Sequence, residues 1–263
     1  TFRFVMKKYI LDMTVSSNTR LNGAYGLLKL TSNNMQLPEM MPGQFVQIEI
    51  PDSKTTFLRL PISICNVDTK RNELWLLVRD AGAGTHSLIN TPASRTINVV
   101  LPLGNGFSTD LKPGSTPLLI GGGVGVAPML YLGKYLQTIG IVPRFLLGAR
   151  SEADLLLLDE FEKTGDVYVS TDDGSRGTPG IITLNPVLES NADIIYCCGP
   201  SPMMKAVASI ARERMITCEV SLENMMACGL GACLCCVEKT VKGNTCVCTD
   251  TIHKLPFFSM KYR

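Results

Sequence analysis

Histidine is scarce in this 263-residue chain, which contains only His86 and His253. Two histidines are too few for a haem pocket or a histidine-rich metal site, so we interpret both as surface or capping side chains. Charged residues make up 18% of the chain and give a net charge of +2, and Lys and Arg form no basic stripe. Since proteins bind nucleic acid through such stripes, nucleic acid is not an expected partner.

Long apolar runs are also missing. No stretch approaches the ~18 consecutive apolar residues of a membrane-spanning helix, and we expect no signal peptide. Cysteine, by contrast, is abundant, with ten residues in all. Several are adjacent or two apart, which suits metal ligands in a reducing compartment better than disulfides. We therefore expect a cytoplasmic protein that does not bind a membrane.

Four cysteines near the C-terminus have a recognisable spacing. Cys228, Cys233 and Cys236 form the pattern C-x4-C-x2-C, and 11 residues separate Cys236 from Cys248. This pattern is typical of plant-type [2Fe–2S] centres. The interleaved glycines permit the tight turns that direct backbone N–H groups toward sulfur. A one-electron carrier of this kind implies an electron source elsewhere in the chain.

The first 107 residues have the pattern of a small antiparallel β-barrel. Residues 44–50 alternate polar and apolar side chains, as a half-buried strand does. Residues 57–65 and Glu73–Arg79 are further β-rich runs between turn signals. Several short strands separated by turns favour a barrel.

Residues 108–220 alternate apolar strands with helical stretches, which predicts a doubly wound parallel α/β sheet. The expected strands are 117–120, 143–148, 167–171 and 193–198, and the expected helices are 126–139, 152–163 and 202–215. Residues 221–263 contain the cysteine motif and form a third, smaller unit.

A glycine-rich turn, residues 121–125, lies between the first strand and the first helix of the α/β unit. The backbone N–H groups of Gly122, Gly123 and Gly125 and the positive end of the helix suit a pyrophosphate. A standard NAD fingerprint also has an acidic residue ~20 positions later, where this chain has Arg150. The turn therefore either binds a nucleotide in another pose or only allows tight packing.

Two further segments follow strands of the α/β unit. Cys198, Gly199 and Pro200 stand at the carboxyl end of a strand, where open α/β sheets bind ligands. Cys198 could approach a nicotinamide ring as a catalytic residue, or the small residues could simply let the strand turn into its helix. Asp172 could meet a ribose or cap the next segment.

The barrel segment contains two candidate diphosphate-binding elements. Residues 59–63 begin with Arg59, and residues 82–85 read Gly-Ala-Gly-Thr. A guanidinium and the backbone donors of a glycine turn can bind a diphosphate, although both elements are also common in ordinary turns. A flavin is expected here because it converts between two-electron hydride transfer and the one-electron chemistry of an iron–sulfur cluster.

Taken together, these motifs resemble the electron-transfer subunits of class 1B dihydroorotate dehydrogenases, a branch of the ferredoxin–NADP reductase family. The resemblance covers nearly the whole chain and is most specific over residues 226–238. It implies an FAD-binding barrel (1–107), an NAD-binding α/β domain (108–220) and a [2Fe–2S] domain (221–263). It also implies a heterotetramer with a separate FMN-containing subunit that oxidises dihydroorotate in pyrimidine (UMP) synthesis. Electrons would pass from that FMN through the cluster and FAD to NAD+.

The resemblance also implies site residues. The positions that it places around FAD are Leu60, Pro61, Ile62, Ser63, Leu77, Val78, Arg79, Gly84 and Thr85. The implied cluster ligands are Cys228, Cys233, Cys236 and Cys248, with Cys246 as the alternative to Cys248. The family motif has arginine directly before Pro-Ile-Ser. Here Leu60 has that place and Arg59 comes one residue early, which in a strand reverses the side-chain face.

Two other functions are consistent with parts of the pattern. Related chains act as reductase subunits in ferredoxin–NADP bifurcation or sulfide dehydrogenase complexes, but these tend to have an aspartate among the cluster ligands. A non-enzymatic alternative is a zinc-binding, nucleotide-sensing module. Zinc prefers paired C-x2-C motifs, which the gaps of four and 11 residues do not match. NADP remains open beside NAD because of Arg150.

Overall fold

The computed structural model describes residues 7–50, 53, 55–240 and 243–255. Six antiparallel strands close into a barrel in the order β1-β2-β5-β4-β3-β6. The strands are β1 (Tyr9–Arg20), β2 (Tyr25–Thr31), β3 (Phe45–Ile48), β4 (Leu60–Asp68), β5 (Glu73–Arg79) and β6 (Thr96–Leu103), and a short helix, α1 (Ala83–Ile89), lies between β5 and β6.

Side-chain alternation explains how the barrel is covered on both faces. In β2, Leu28 and Leu30 lie in the barrel interior, whereas Leu27 joins a core that extends into the second unit. In β5, Leu76 faces the interior and Leu77 faces the second unit in the same way. The outer face of these strands is therefore buried rather than solvated.

The second unit is a parallel sheet with the strand order β10-β9-β8-β7-β11-β12. Its strands are β7 (Pro117–Gly122), β8 (Arg144–Ala149), β9 (Asp166–Thr171), β10 (Thr178–Pro179), β11 (Ile194–Cys198) and β12 (Thr217–Ser221). Its helices are α2 (Val126–Thr138), α3 (Leu158–Glu162) and α4 (Ser201–Glu213). All residues of β7 and β11 are buried, as expected for a sheet covered on both faces.

The C-terminal unit adds a hairpin, β13 (Val237–Thr240) and β14 (Gly243–Cys246), and a last strand, β15 (Ile252–Leu255). β15 pairs antiparallel with β12 and becomes the seventh strand of the sheet. The third unit is thus joined to the second by main-chain hydrogen bonds. The predicted domain boundary after residue 220 stays a prediction.

Helix α2 connects the sheet to the barrel, because it packs directly against β4. The Tyr131 hydroxyl donates a hydrogen bond to the Met40 carbonyl at 2.7 Å. One turn later, the Lys134 ammonium lies 4.7 Å from the ring centre of Trp75, in a cation–π contact. Lys134 also pairs with Glu160 at 2.7 Å. The helix that follows the glycine turn is therefore fixed to the barrel.

The predicted strands and helices mostly occur, but two predictions need correction. The helix expected at 152–163 is wrong: the chain forms a 3-10 turn at Glu152–Asp154 and only the short α3. Leu157, at φ 56°, lies in the left-handed region and breaks the helix, so that Leu156 and Phe161 both reach the core. The strand expected at 57–65 begins at Leu60 instead, and Phe57 is 89% exposed.

None of the helices in the described ranges combines the length and the apolar character that crossing a bilayer requires.

Candidate functional site

The centre of the parallel sheet has the geometry of a ligand-binding edge. β7 and β11 are neighbours, and the chain leaves them toward opposite sides of the sheet, β7 toward β8 and β11 toward β12. Open α/β sheets bind ligands outside the carboxyl ends of the strands at such a switch point. The glycine turn at residues 121–125, hereafter the nucleotide turn, follows β7, and residues 198–200 follow β11. Both predicted segments therefore lie at this edge.

Close packing between these two segments depends on missing side chains. A Cβ atom on Gly125 would overlap the backbone of Cys198 and Gly199, and one on Gly122 would lie 2.5 Å from the sulfur of Met203. Gly123 differs, because its φ of +56° is left-handed and a Cβ there would meet only the Tyr25 hydroxyl, at 3.5 Å. The turn thus allows tight packing and also keeps an open backbone face at the N-terminus of α2.

Two neighbouring strand ends place charged residues at the same edge. The Asp172 N–H donates to the Ala149 carbonyl at 3.0 Å, and the Asp173 N–H donates to the Arg150 carbonyl at 3.1 Å. Asp172 is exposed and lies beside Arg150, where it is available to a polar ligand. Its assignment to a ribose stays a prediction.

Cys198 lies beneath the nucleotide turn rather than in the open. Its side chain is fully buried, and this burial raises the pKa of the thiol well above its usual value. A pKa shifted in this direction favours the neutral thiol over the thiolate. Burial limits Cys198 to contact or packing beside a bound nicotinamide ring. Its predicted catalytic role stays a prediction.

Glu223 was not among the assigned residues, although it lies at the same edge, two residues after β12. The residue is exposed to solvent. Desolvation by the surrounding protein raises the pKa of its carboxyl group. Its position just beyond a strand end was the signal that could have identified it.

In the barrel, the residues predicted around FAD begin at β4. Leu60 points toward α1: a Cβ on Gly84 would lie 3.0 Å from the Leu60 Cδ1 atom. Arg59 points elsewhere, because its Nη1 donates to the Asn98 carbonyl at 3.0 Å and its Nη2 donates to Asn98 Oδ1 at 2.6 Å. Arg59 is also paired with Glu49 at 3.3 Å. The position facing Gly84 is therefore apolar, and Arg59 is held against β6 instead.

The other predicted flavin residues differ in accessibility. Leu77 and Val78 are buried in the two cores, so only their backbone could reach a ligand, whereas Arg79 at the end of β5 is exposed. The segment containing Gly84 and Thr85 begins the short helix α1 rather than a simple turn. Pro61, Ile62 and Ser63 are half-buried along β4.

Three cysteines of residues 227–236 (the cluster loop), namely Cys228, Cys233 and Cys236, form two pairs together with Cys248. Cys228 lies within hydrogen-bond reach of Cys233, and Cys248 lies within reach of Cys236. A [2Fe–2S] cluster has two thiolates on each iron, so this donor set fits it. Among the described residues, no three or more His, Cys, Asp or Glu side chains are grouped to hold a single metal ion.

Backbone N–H groups of the cluster loop point at these sulfurs. Cys228 Sγ accepts from Leu230 at 3.3 Å and from Cys233 at 3.4 Å. These hydrogen bonds lower the pKa of Cys228 to about 6, whereas burial raises the pKa of Cys248 to about 12. Donors of this kind stabilise negative charge on cluster sulfur.

The fourth ligand has two candidates in the structure. Cys248 is buried and accepts from the Gly231 N–H at 3.1 Å, while Cys246 is half-buried and also reaches Cys236. The N–H donor from the cluster loop favours Cys248. Cys235 is exposed beside Cys236.

Comparisons with known proteins agree with this arrangement. Residues 119–209 match the family model described as the oxidoreductase NAD-binding domain. The chain is 40% identical over 235 residues to the dihydroorotate dehydrogenase B (NAD(+)) electron transfer subunit of Lysinibacillus sphaericus, covering 86% of this chain and 90% of that protein. The Fusobacterium nucleatum subunit of the same name is 39% identical and covers 92% and 95%. A solved NADH-dependent reduced ferredoxin–NADP oxidoreductase, described for flavin-based electron bifurcation, superposes with a TM-score of 0.83 at 28% identity, covering 95% of this chain and 90% of that one.

A closed barrel next to a parallel nucleotide-binding sheet, with paired thiols in a loop against the barrel, defines an electron-transferring reductase of the ferredoxin–NADP reductase fold. The predicted fold class is therefore confirmed. At this identity and coverage, the chain belongs to the family of dihydroorotate dehydrogenase B (NAD(+)) electron transfer subunits, which confirms the resemblance.

Proposed function

We propose that this chain passes electrons from the FMN of a dihydroorotate-oxidising partner, through a [2Fe–2S] cluster and FAD, to NAD+. The observation that carries this proposal is that all three candidate sites meet at the barrel. The cluster loop contacts β3, where Gln47 donates to the Ala227 carbonyl at 3.1 Å. On the other side, the helix that follows the nucleotide turn packs against β4.

The chain's residues suit these cofactors. The paired cysteines would hold the cluster, β4 and the start of α1 would hold FAD, and the nucleotide turn with Asp172 and residues 198–200 would hold NAD. FAD supplies the exchange between hydride transfer and one-electron transfer. The protein supplies N–H donors at sulfur and a close-packed switch point at the nucleotide.

The partner and the setting are part of the proposal. We place dihydroorotate oxidation in de novo UMP synthesis on a separate FMN-containing subunit, with which this chain forms a heterotetramer. The family name, an electron transfer subunit, supports this division of labour. A cytoplasmic, reducing setting is supported by ten cysteines that are all free.

The test uses the purified chain under anaerobic conditions, with flavin, iron and zinc measured on the same sample. We expect one FAD and a cluster of about two irons, a rhombic EPR signal after NADH addition, and NADH–dye activity. We expect orotate formation only after the FMN subunit is added. Zinc without flavin, or dihydroorotate turnover by the single chain, would contradict the proposal.

One observation favours a second function, a reductase subunit of a ferredoxin–NADP bifurcating complex. It is the superposition on the bifurcating oxidoreductase at 28% identity over 95% of this chain. The sulfide dehydrogenase alternative belongs to the same class. Affinity purification distinguishes them: recovery of a ferredoxin-dependent large subunit, rather than an FMN protein, would select the second function.

Replacing Leu60 with arginine should tighten FAD binding. Leu60 faces Gly84 at the expected diphosphate site, and a guanidinium there would add a charge-assisted hydrogen bond of about 1.5–3 kcal/mol, roughly tenfold or more in Kd. The Kd is measured by fluorescence titration of flavin-depleted protein. Leu60→Met is the matched control and should leave it unchanged. An equal or weaker affinity in a folded Leu60→Arg protein would show that the diphosphate lies elsewhere.

A further inference from the structure

We propose that Gln47 is a positioning residue for electron transfer, which fixes the cluster loop against the flavin-binding strand. This inference rests on the proposed function, because it concerns the path between the cluster and FAD. It assigns a role to a barrel residue that belongs to the alternating strand at residues 44–50 and to none of the candidate site segments.

The side chain of Gln47 ends on the cluster loop. Its Nε2 donates to the Ala227 carbonyl at 3.1 Å, and Ala227 directly precedes the ligand Cys228. Gly229, directly after that ligand, also approaches Gln47. A Cβ on Gly229 would lie 2.9 Å from the amide carbon and nitrogen of Gln47, and its φ is +66°. Gln47 therefore contacts the residues on both sides of Cys228.

The backbone of Gln47 belongs to the flavin side of the barrel. In β3 it pairs with Pro61 of β4, and on its other edge with Val100 of β6. Pro61 is one of the residues expected around FAD. A single residue thus joins the main chain of the flavin-binding strand to the loop that holds the cluster, and the linked residues are 180 positions apart.

The hydrogen bond to Ala227 explains why a polar residue, Gln47, occupies a buried position in β3. Phe45, Val46, Gln47 and Ile48 are all buried, so the polar residue of an alternating strand is not exposed to water. Val46 and Ile48 fill the barrel, whereas Phe45 joins the core that includes Cys236 and Cys248. An unpaired buried amide costs about 1–3 kcal/mol, and the Ala227 carbonyl removes this cost. The outer face of β3 is therefore built to receive the cluster loop.

The contact matters because electron transfer slows steeply as the distance between donor and acceptor grows. Each electron that leaves the cluster is gained by the flavin, and Gln47 is itself neither oxidised nor reduced. Its contribution is to hold the loop at one distance and one orientation. Outer residues that orient metal ligands typically contribute roughly 10–100-fold to affinity or activity.

The test compares Gln47→Leu, which removes the hydrogen bond at similar size, with Gln36→Leu. Gln36 also donates to a backbone carbonyl of the barrel, that of Thr69 at 2.8 Å, but away from the cluster loop. In the full chain, NADH reduces the flavin with two electrons, and one of these then passes to the cluster. Stopped-flow absorbance resolves the two steps.

We expect Gln47→Leu to retain FAD and iron, to keep the rate of flavin reduction within about twofold, and to slow cluster reduction roughly tenfold. Hydrogen exchange of the amides in residues 227–233 should become roughly tenfold faster, as for a lost contact of about 1.4 kcal/mol. Gln36→Leu should change neither quantity.

Unchanged cluster reduction and unchanged exchange in Gln47→Leu would overturn the proposal. If Gln47→Leu does not fold, Gln47→Asn, whose shorter amide cannot span the same distance, takes its place with the same expected results. If the wild-type chain contains neither flavin nor cluster, the proposed function fails. The exchange measurement still tests the contact in that case, so the two failures are distinguishable.

Discussion

Replacing Cys228 with serine is expected to remove the iron–sulfur absorption and the EPR signal while FAD remains bound. Cys228 pairs with Cys233 and its sulfur accepts hydrogen bonds from two backbone N–H groups, which supports the proposal that it is one of the four thiolates that the cluster requires. The residues proposed to bind FAD lie in the barrel and do not include this thiol. NADH–dye activity should therefore persist, while electron transfer from the FMN partner should fall to background.

Cys235→Ser is the matched control, since Cys235 is exposed and adjacent to the proposed ligand Cys236. This variant should keep about two irons per chain. The same assay decides the fourth ligand: Cys248→Ser should lose the cluster and Cys246→Ser should keep it. A full complement of iron in Cys228→Ser, or loss of iron in Cys235→Ser, would mean that the cysteine assignment is wrong.

The second large effect is expected for Gly125→Ala. The new methyl group would overlap the carbonyl of Cys198 and the Cα of Gly199, which are backbone atoms and cannot move aside as a side chain can. The ends of β7 and β11 would have to separate. Overpacking of this kind costs about 1–3 kcal/mol or more, so we expect NADH affinity to fall about tenfold or more.

Isothermal titration with NADH and thermal unfolding measure this effect, and flavin and iron content should be unchanged. Gly23→Ala is the control, because a Cβ there meets nothing within 4 Å. Wild-type NADH affinity in Gly125→Ala would contradict a nucleotide site at the switch point.

Local features of the chain could be predicted from the sequence. The cysteine spacing is a local property, and it brought Cys228, Cys233 and Cys236 to notice as candidate ligands within one glycine-containing loop, an assignment that stays a prediction. The strand Glu73–Arg79 and the start of the helix at Val126 were also predictable, because side-chain periodicity and a glycine turn are local signals.

Features that depend on contacts between distant residues could not be predicted from the sequence. The helix expected at 152–163 has helical composition, but Leu157 adopts a left-handed conformation so that Leu156 can enter the core. Polar Gln47 indicated a solvent-facing side of β3, yet the cluster loop covers that side. Periodicity reports which residues share a face and does not report what covers it.

The sequence by itself determined the order of the three units, the donor chemistry of the cysteines and the small residues of the nucleotide turn. Only the tertiary structure decided that Arg59 is bound to Asn98 while Leu60 faces Gly84, and that β15 joins the sheet beside β12. It also decided that one glutamine of β3, the neighbour of β4, contacts the cluster loop. The physical reason is that these arrangements depend on contacts between residues far apart in the chain, whose partners exist only after folding.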